Sequence, residues 1–202
     1  MGDIALRSFM EEPLTADFAE LTDNKGNRWS GIRMSVTIQK NDKYKGLVLH
    51  QYFMLLPGVP VLVSTVHVEQ NTGGPLCPLK LETSTFYTAA SDMKDGRAYL
   101  KNSRGQELTY KSGRGQAEDA SHNGILQVGS MEREQRLSLV TSFKHPSPSL
   151  MVNSVALTSY AEEYLHLQDC KEQFSKPQFY LISDLQVPEQ AYGDLLSIRF
   201  KK

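Results

Sequence analysis

Five residues on two neighbouring segments are spaced so that they could handle protons together: His50 and Tyr52 in LVLHQYFMLL, and Thr65, His67 and Glu69 in VLVSTVHVEQ. Between the segments stands Pro57-Gly58-Val59-Pro60. If Leu56 and Val61 close this turn as a simple hairpin, His50 falls opposite His67, Tyr52 opposite Thr65 and Val48 opposite Glu69, so the polar groups share one face. An imidazole exchanges protons near neutral pH and a neighbouring carboxylate tunes that exchange, which is what general acid and base chemistry requires. His50, His67 and Glu69 are therefore the candidate catalytic residues. Register carries the whole assignment, because a slip of one residue turns every side chain to the other face. Counting on to the preceding strand sets Met34 beside Tyr52 and Val36 beside His50, so the same histidines also read as members of an apolar core.

Ligand contacts could come from Trp29, which follows a turn and opens a strand where a ring can stay partly exposed, from Tyr52 and Thr65 in the paired segments, and from His122 in the turn SHNG. Most of the other aromatic residues read as packing. Nucleophile and phosphate motifs are missing: there is no G-x-S-x-G elbow and no G-x-x-x-x-G-K-[ST] loop, and Gly113-Arg114-Gly115 stands alone without a βαβ setting. No His and Asp cluster has metal-ligand spacing, so neither a metal nor a cofactor is expected.

The elements that must position these residues read as strands. From Trp29 to Gln39, Ile32, Met34, Val36 and Ile38 alternate with Arg33, Ser35, Thr37 and Gln39, the pattern of a half-buried strand. Leu47 to Phe86 reads as three long strands joined by tight turns. Arg97 to Lys101 and Glu107 to Lys111 flank a hairpin turn, and Ile125 to Met131, Arg136 to Lys144, Leu150 to Tyr160, Tyr164 to Leu167 and Phe179 to Ser183 continue the alternation. Leu14 to Leu21 fits either a helical turn or a strand. Pro188 to Leu196 suits a short helix before a terminal strand Leu196 to Phe200. The expectation is an all-β chain, a large antiparallel two-sheet sandwich with at most one or two short helices, forming one domain over residues 1–202 with a flexible loop at 112–121.

Composition narrows the partners. The chain has 202 residues with 22 Lys and Arg against 23 Asp and Glu, so no uniform positive field awaits a nucleic-acid backbone. Cys77 and Cys170 are far apart without CxxC spacing, which points to two reduced thiols, although one disulfide between them stays open. The N-terminus lacks a basic segment followed by an apolar one, and no apolar run approaches a membrane span. A cytoplasmic protein with no membrane partner is expected, a mature secreted form stays open, and so does a homo-oligomer.

The phrase Leu55 to Val63 followed by Val66 to Leu76, in which a strand ends at a Pro-Gly turn, a Pro-Val-Leu strand follows and an Asn-Thr-Gly turn leads onward, resembles galactose-mutarotase-like supersandwich domains of carbohydrate-active proteins. Mutarotases of this kind carry a histidine in an Asn-His-x-Tyr-Phe setting, of which His50-Gln51-Tyr52-Phe53 is a distant echo. Hydrolases with this domain keep their catalytic acids in another domain. The resemblance therefore implies an accessory β-domain that recognises a carbohydrate or sugar-derived small molecule on a concave sheet face. Two other readings stand beside it: a small mutarotase-like epimerase, isomerase or lyase using His50, His67 and Glu69, and a non-enzymatic protein-assembly module.

Overall fold

The structure is a computed structural model that describes residues 12–40, 45–70, 79–87, 97–101, 107–111, 115–117, 121–122, 125–130, 136–141, 149–152, 157–165, 173–183 and 194–201. In chain order the strands among them are β1 (Leu14–Asp23), β2 (Arg28–Thr37), β3 (Leu47–Leu55), β4 (Val61–Gln70), β5 (Leu79–Tyr87), β6 (Arg97–Lys101), β7 (Glu107–Lys111), β8 (Gly115–Ala117), β9 (Ser121–His122), β10 (Ile125–Ser130), β11 (Arg136–Thr141), β12 (Ser149–Val152), β13 (Leu157–Leu165), β14 (Gln173–Phe174), β15 (Gln178–Ser183) and β16 (Phe200–Lys201). Helix among the described residues is confined to 194–196. The chain is mostly antiparallel sheet, as the alternation requires.

The chain divides into two compact units, one of Met1–Leu81, Glu163–Pro177 and Ile198–Lys202, the other of Glu82–Glu162 and Gln178–Ser197. The first unit holds a sheet of order β16-β1-β2-β3-β4, antiparallel throughout, with β14 also pairing β4. In the second unit β10 pairs β11, β6 and β9, β6 pairs β7, β11 pairs β15, and β12 pairs β8 and β13.

Local chemistry explains the first hairpin. Asp23 accepts the Lys25 and Asn27 backbone N–H groups through Oδ1 at 2.8 and 2.9 Å, which bends the chain between β1 and β2. Gly26 takes the left-handed conformation, φ +87°, that this turn needs and that other residues resist. On β2, Gly31 has a different reason to be glycine: a Cβ there would stand 2.1 Å from the Phe53 carbonyl oxygen. Strands β2 and β3 therefore approach more closely at Gly31 than any side chain would allow.

Burial changes sides along the sheet. Leu47, Leu49, Val36, Ile38 and Val68 are buried on one face. Farther along the same strands it is the opposite face that is buried, by Tyr52, Met54, Val61, Val63, Trp29 and Phe200. The phase reverses within β3, whose alternation is broken at His50 and Gln51. Beyond the reversal, the face that carried Leu49 leaves Phe18, Ile32 and Leu55 exposed.

Several expectations are corrected. The β2–β3 register pairs Tyr52 with Arg33 and His50 with Ser35, whereas Met34 meets Gln51 and Val36 meets Leu49. The expected neighbours Met34 and Val36 thus lie on the other face, since side chains alternate with period two. Leu14 to Leu21, left open between helical turn and strand, is strand, part of β1. The single strand expected from Leu150 to Tyr160 is two, β12 and β13, paired through Val152 and Leu157. Of the segment 112–121 the described residues are 115–117, which form β8 and pair with β12, and 121, which opens β9. Leu196 is helical, and the terminal strand starts at Phe200. Residues 188–193 of the expected helix, Cys77 and Cys170 lie outside the described residues.

Candidate functional site

The hairpin of β3 and β4 has the register that the turn length implies: His50 pairs with His67, Tyr52 with Thr65 and Val48 with Glu69. Strand alternation then puts His50, Tyr52, Thr65, His67 and Glu69 on one face, together with Arg33 and Ser35 of β2 and Phe174 of β14. This is the face whose apolar cover, from Trp29 to Tyr52, ends at the phase reversal. The polar residues occupy the margin where that core gives way.

Three strands contribute to one hydrogen-bonded chain. Ser35 Oγ lies 2.7 Å from His50 Nδ1, and His50 Nε2 lies 3.3 Å from Glu69 Oε2. With Glu69 ionised, its carboxylate accepts the Nε2–H of neutral His50, and Nδ1 is left to accept the Ser35 O–H. Glu69 is the more open end, its side chain 35% exposed against 14% for His50. The His50 and His67 rings stack with centroids 5.7 Å apart and planes 16° from parallel. Phe174 covers His67 from another side at 4.6 Å, leaving His67 buried.

The strap that holds Phe174 is bonded to β4. Thr65 Oγ1 donates to the Ser175 carbonyl at 3.1 Å, Ser175 Oγ accepts the Val66 N–H at 2.9 Å, and the Ser175 N–H returns to the Val66 carbonyl at 2.7 Å. Thr65 is thus buried beneath the strap. In the adjoining row Arg33 reaches Asp17 at 3.2 Å across β1 and β2. The Asp17 carboxylate holds the Arg33 guanidinium above the ordinary arginine range, burial opposes this, and the Tyr52 oxygen adds to the rise.

Trp29 has no exposed surface, which overturns the expectation of a partly open ring. Its indole N–H donates to Asp23 Oδ2 at 2.9 Å, and Phe200 packs edge-on at 5.8 Å. A ring enclosed in this way offers no stacking face to a ligand. His122 stands in β9 of the second unit, paired with Ile125. Sequence reasoning missed Ser35, Arg33 and Phe174. The alternation already separated Ser35 and Arg33 from the apolar set of β2, so only the register withheld them, whereas Phe174 gave no local signal.

The arrangement can bind hydroxyl groups through a carboxylate, an imidazole, a hydroxyl and a guanidinium, and it can move a proton along the Ser35–His50–Glu69 chain. Among the described residues no three His, Cys, Asp or Glu side chains gather as a metal site. No described helix is long and apolar enough to cross a membrane.

No protein-family model matches the sequence, and no curated protein matches it. Solved structures do. The Slr1438 protein from Synechocystis sp. PCC 6803 is similar at 10% identity and a TM-score of 0.50, covering 83% of this chain and 66% of its own. The GH36 alpha-galactosidase AgaA from Geobacillus stearothermophilus is similar at 12% identity and a TM-score of 0.51, covering 86% of this chain and 28% of its own. An assigned aldose 1-epimerase from Escherichia coli matches at 9% identity and a TM-score of 0.49, over 85% of this chain and 84% of its own. The first two show the fold, and the likeness to an alpha-galactosidase agrees with the galactose-mutarotase-like resemblance of residues 47–86. The chain spans under two thirds of the length of each of these two.

Proposed function

We propose that this chain is a carbohydrate-related β-domain that binds a sugar or sugar-derived ligand on the sheet face carrying Ser35, His50 and Glu69. The observation that carries the reading is the placement of a partly exposed carboxylate, an imidazole and a hydroxyl on one sheet face, His50 directly opposite Ser35 and Glu69 one diagonal step away, at the edge of a core that includes Tyr52. Sugars are held by such groups, with carboxylates and imidazoles meeting hydroxyls and aromatic edges meeting C–H faces. The fold shared with part of an alpha-galactosidase supports the same class of ligand, and the reading includes a second layer that makes the domain a sandwich.

Glycan-array binding tests it. Wild type binds a subset of glycans and Glu69→Gln loses at least tenfold in affinity. If no glycan binds, the proposal fails. Linkage of both His50 nitrogens to proton-handling groups favours a second reading, a mutarotase-like epimerase or isomerase. Polarimetry on free aldoses separates the two, since binding without accelerated mutarotation leaves only the accessory role. The exposed Phe18, Ile32 and Leu55 on the opposite face favour the assembly reading, for which sedimentation of wild type against Phe18→Ser is the measure.

A further inference from the structure

The Ser35–His50–Glu69 chain has a property that sugar binding does not use: it ends in a hydroxyl held 2.7 Å from an imidazole nitrogen whose other nitrogen is oriented by a carboxylate. A serine is a weak nucleophile until a base takes its proton, and hydroxyl, imidazole and carboxylate in this order supply the base and fix its tautomer. We infer that Ser35 is an activated nucleophile and that this face hydrolyses short O-acyl esters.

The residues place the reacting groups separately on three strands, so none depends on a flexible loop. Ser35 comes from β2, His50 from β3 and Glu69 from β4, fixed by the pairs Ser35 with His50 and Val48 with Glu69. Ser35 is partly accessible, in a polar setting with Arg33 and Thr37 as its same-face neighbours along β2 and Thr15 beside it on β1. These polar neighbours suit a short acyl group such as acetyl. Backbone N–H groups in the interior of a sheet are consumed by the ladder, so charge on the carbonyl oxygen must be met by a side chain. Arg33, two residues away on the same face with its side chain 39% exposed, is the cation placed for that task, its guanidinium exchanging the Asp17 carboxylate for the developing oxyanion.

The step balances without any redox partner. Ser35 Oγ bonds to the ester carbonyl carbon while its proton passes to His50 Nδ1, and Glu69 stabilises the resulting imidazolium through Nε2–H. Collapse of the tetrahedral adduct breaks the carbon–oxygen bond to the alcohol, which leaves with the proton from Nδ1. Water then attacks the Ser35 acyl ester by the same route, releasing the carboxylic acid and restoring the hydroxyl. Ser35 and His50 are the catalytic residues here, and Glu69 is a positioning residue.

The full chain treated with a fluorophosphonate probe is expected to take up one adduct, mapped by mass spectrometry to Ser35, and to release p-nitrophenol from p-nitrophenyl acetate. Ser35→Ala abolishes the adduct, His50→Ala slows labelling by about 100-fold, and Glu69→Gln slows it by about 10-fold and alters its pH profile. A wild type that forms no adduct at Ser35 overturns the inference, as does equal labelling of Ser35→Ala at another residue with esterase activity unchanged. The position of the wild-type adduct decides the matter even if the alanine variant does not fold. The ester probe is not a sugar, so glycan binding without labelling rejects this inference alone, and labelling without glycan binding rejects only the sugar reading.

Discussion

His50 and His67 face one another across β3 and β4 with their rings stacked 5.7 Å apart, yet their surroundings differ: His67 is 2% exposed, packed against Phe174, while the His50 side chain is 14% exposed and linked to Ser35 and Glu69. The pair therefore separates a ring packed in the core from one held among polar groups. His67→Ala removes a buried ring and is expected to cost about 2–4 kcal/mol, as for other large-to-small changes in a core. His50→Ala is expected to cost about 1 kcal/mol, near the worth of its hydrogen bonds, while abolishing ligand binding. Urea denaturation and glycan binding on the two variants check the division, and a His67→Ala protein as stable as wild type would contradict it.

The Asp23 carboxyl gives a pH-dependent prediction. Burial pushes its pKa up, but hydrogen bonds from the Trp29 indole, the Asn27 side chain and the backbone N–H groups of Asn27 and Lys25 outweigh this, and the net shift is downward from 3.8. A carboxyl with a depressed folded-state pKa adds stability at higher pH, and the contribution disappears as pH falls through the folded value. Asp23→Ala is expected to lower stability by about 1–3 kcal/mol at neutral pH, because it strands a buried indole N–H. The gap between wild type and variant should narrow below about pH 4, the ordinary carboxyl range. Thermal melts of both proteins from pH 7 to pH 3 measure it.

Two glycines fail for different reasons. Gly26→Ala meets no atom within 4 Å but must hold φ +87°, so it is expected to cost about 1 kcal/mol of backbone strain. Gly31→Ala would drive a methyl group into the Phe53 carbonyl 2.1 Å away, forcing β2 from β3 at a cost of about 3 kcal/mol. Denaturant midpoints rank the two, and amide exchange at Met54 and Phe53 should quicken only in Gly31→Ala.

Ser175→Ala deprives the Val66 N–H of one acceptor and loosens the strap beside Phe174. About 1 kcal/mol of stability is expected to go, with faster hydrogen exchange at Val66 and Ser175. Exchange unchanged at both amides would show that the strap is held without the Ser175 hydroxyl, by its backbone bonds to β4 and the packing of Phe174.

What could be read from the sequence depended on how tightly each feature is determined nearby. The β3–β4 register was legible because Pro57-Gly58-Val59-Pro60 leaves one simple way to close the hairpin, and it brought His50, His67, Tyr52, Thr65 and Glu69 together as counted. The β2–β3 register was not, because the connection through residues 40–46 can close in more than one way. A one-residue difference there exchanged Met34 and Val36 for Arg33 and Ser35, which turned a supposed core environment into a hydrogen-bonded polar one. Trp29 was misjudged for a similar reason. Its partner Asp23 is close in sequence, but the Phe200 ring that completes its enclosure comes from the far end of the chain. The reversal of burial at His50 and Gln51 was visible only as a break in alternation, and a pattern break alone does not say which face remains open.

Trp29 is also the only tryptophan in the chain. Its ultraviolet emission consequently comes from a single address, wrapped by the first hairpin and by Phe200. Spectral red-shift on heating or in denaturant would time the release of the closing strand β16 from that hairpin, and no labelling would be needed to follow it.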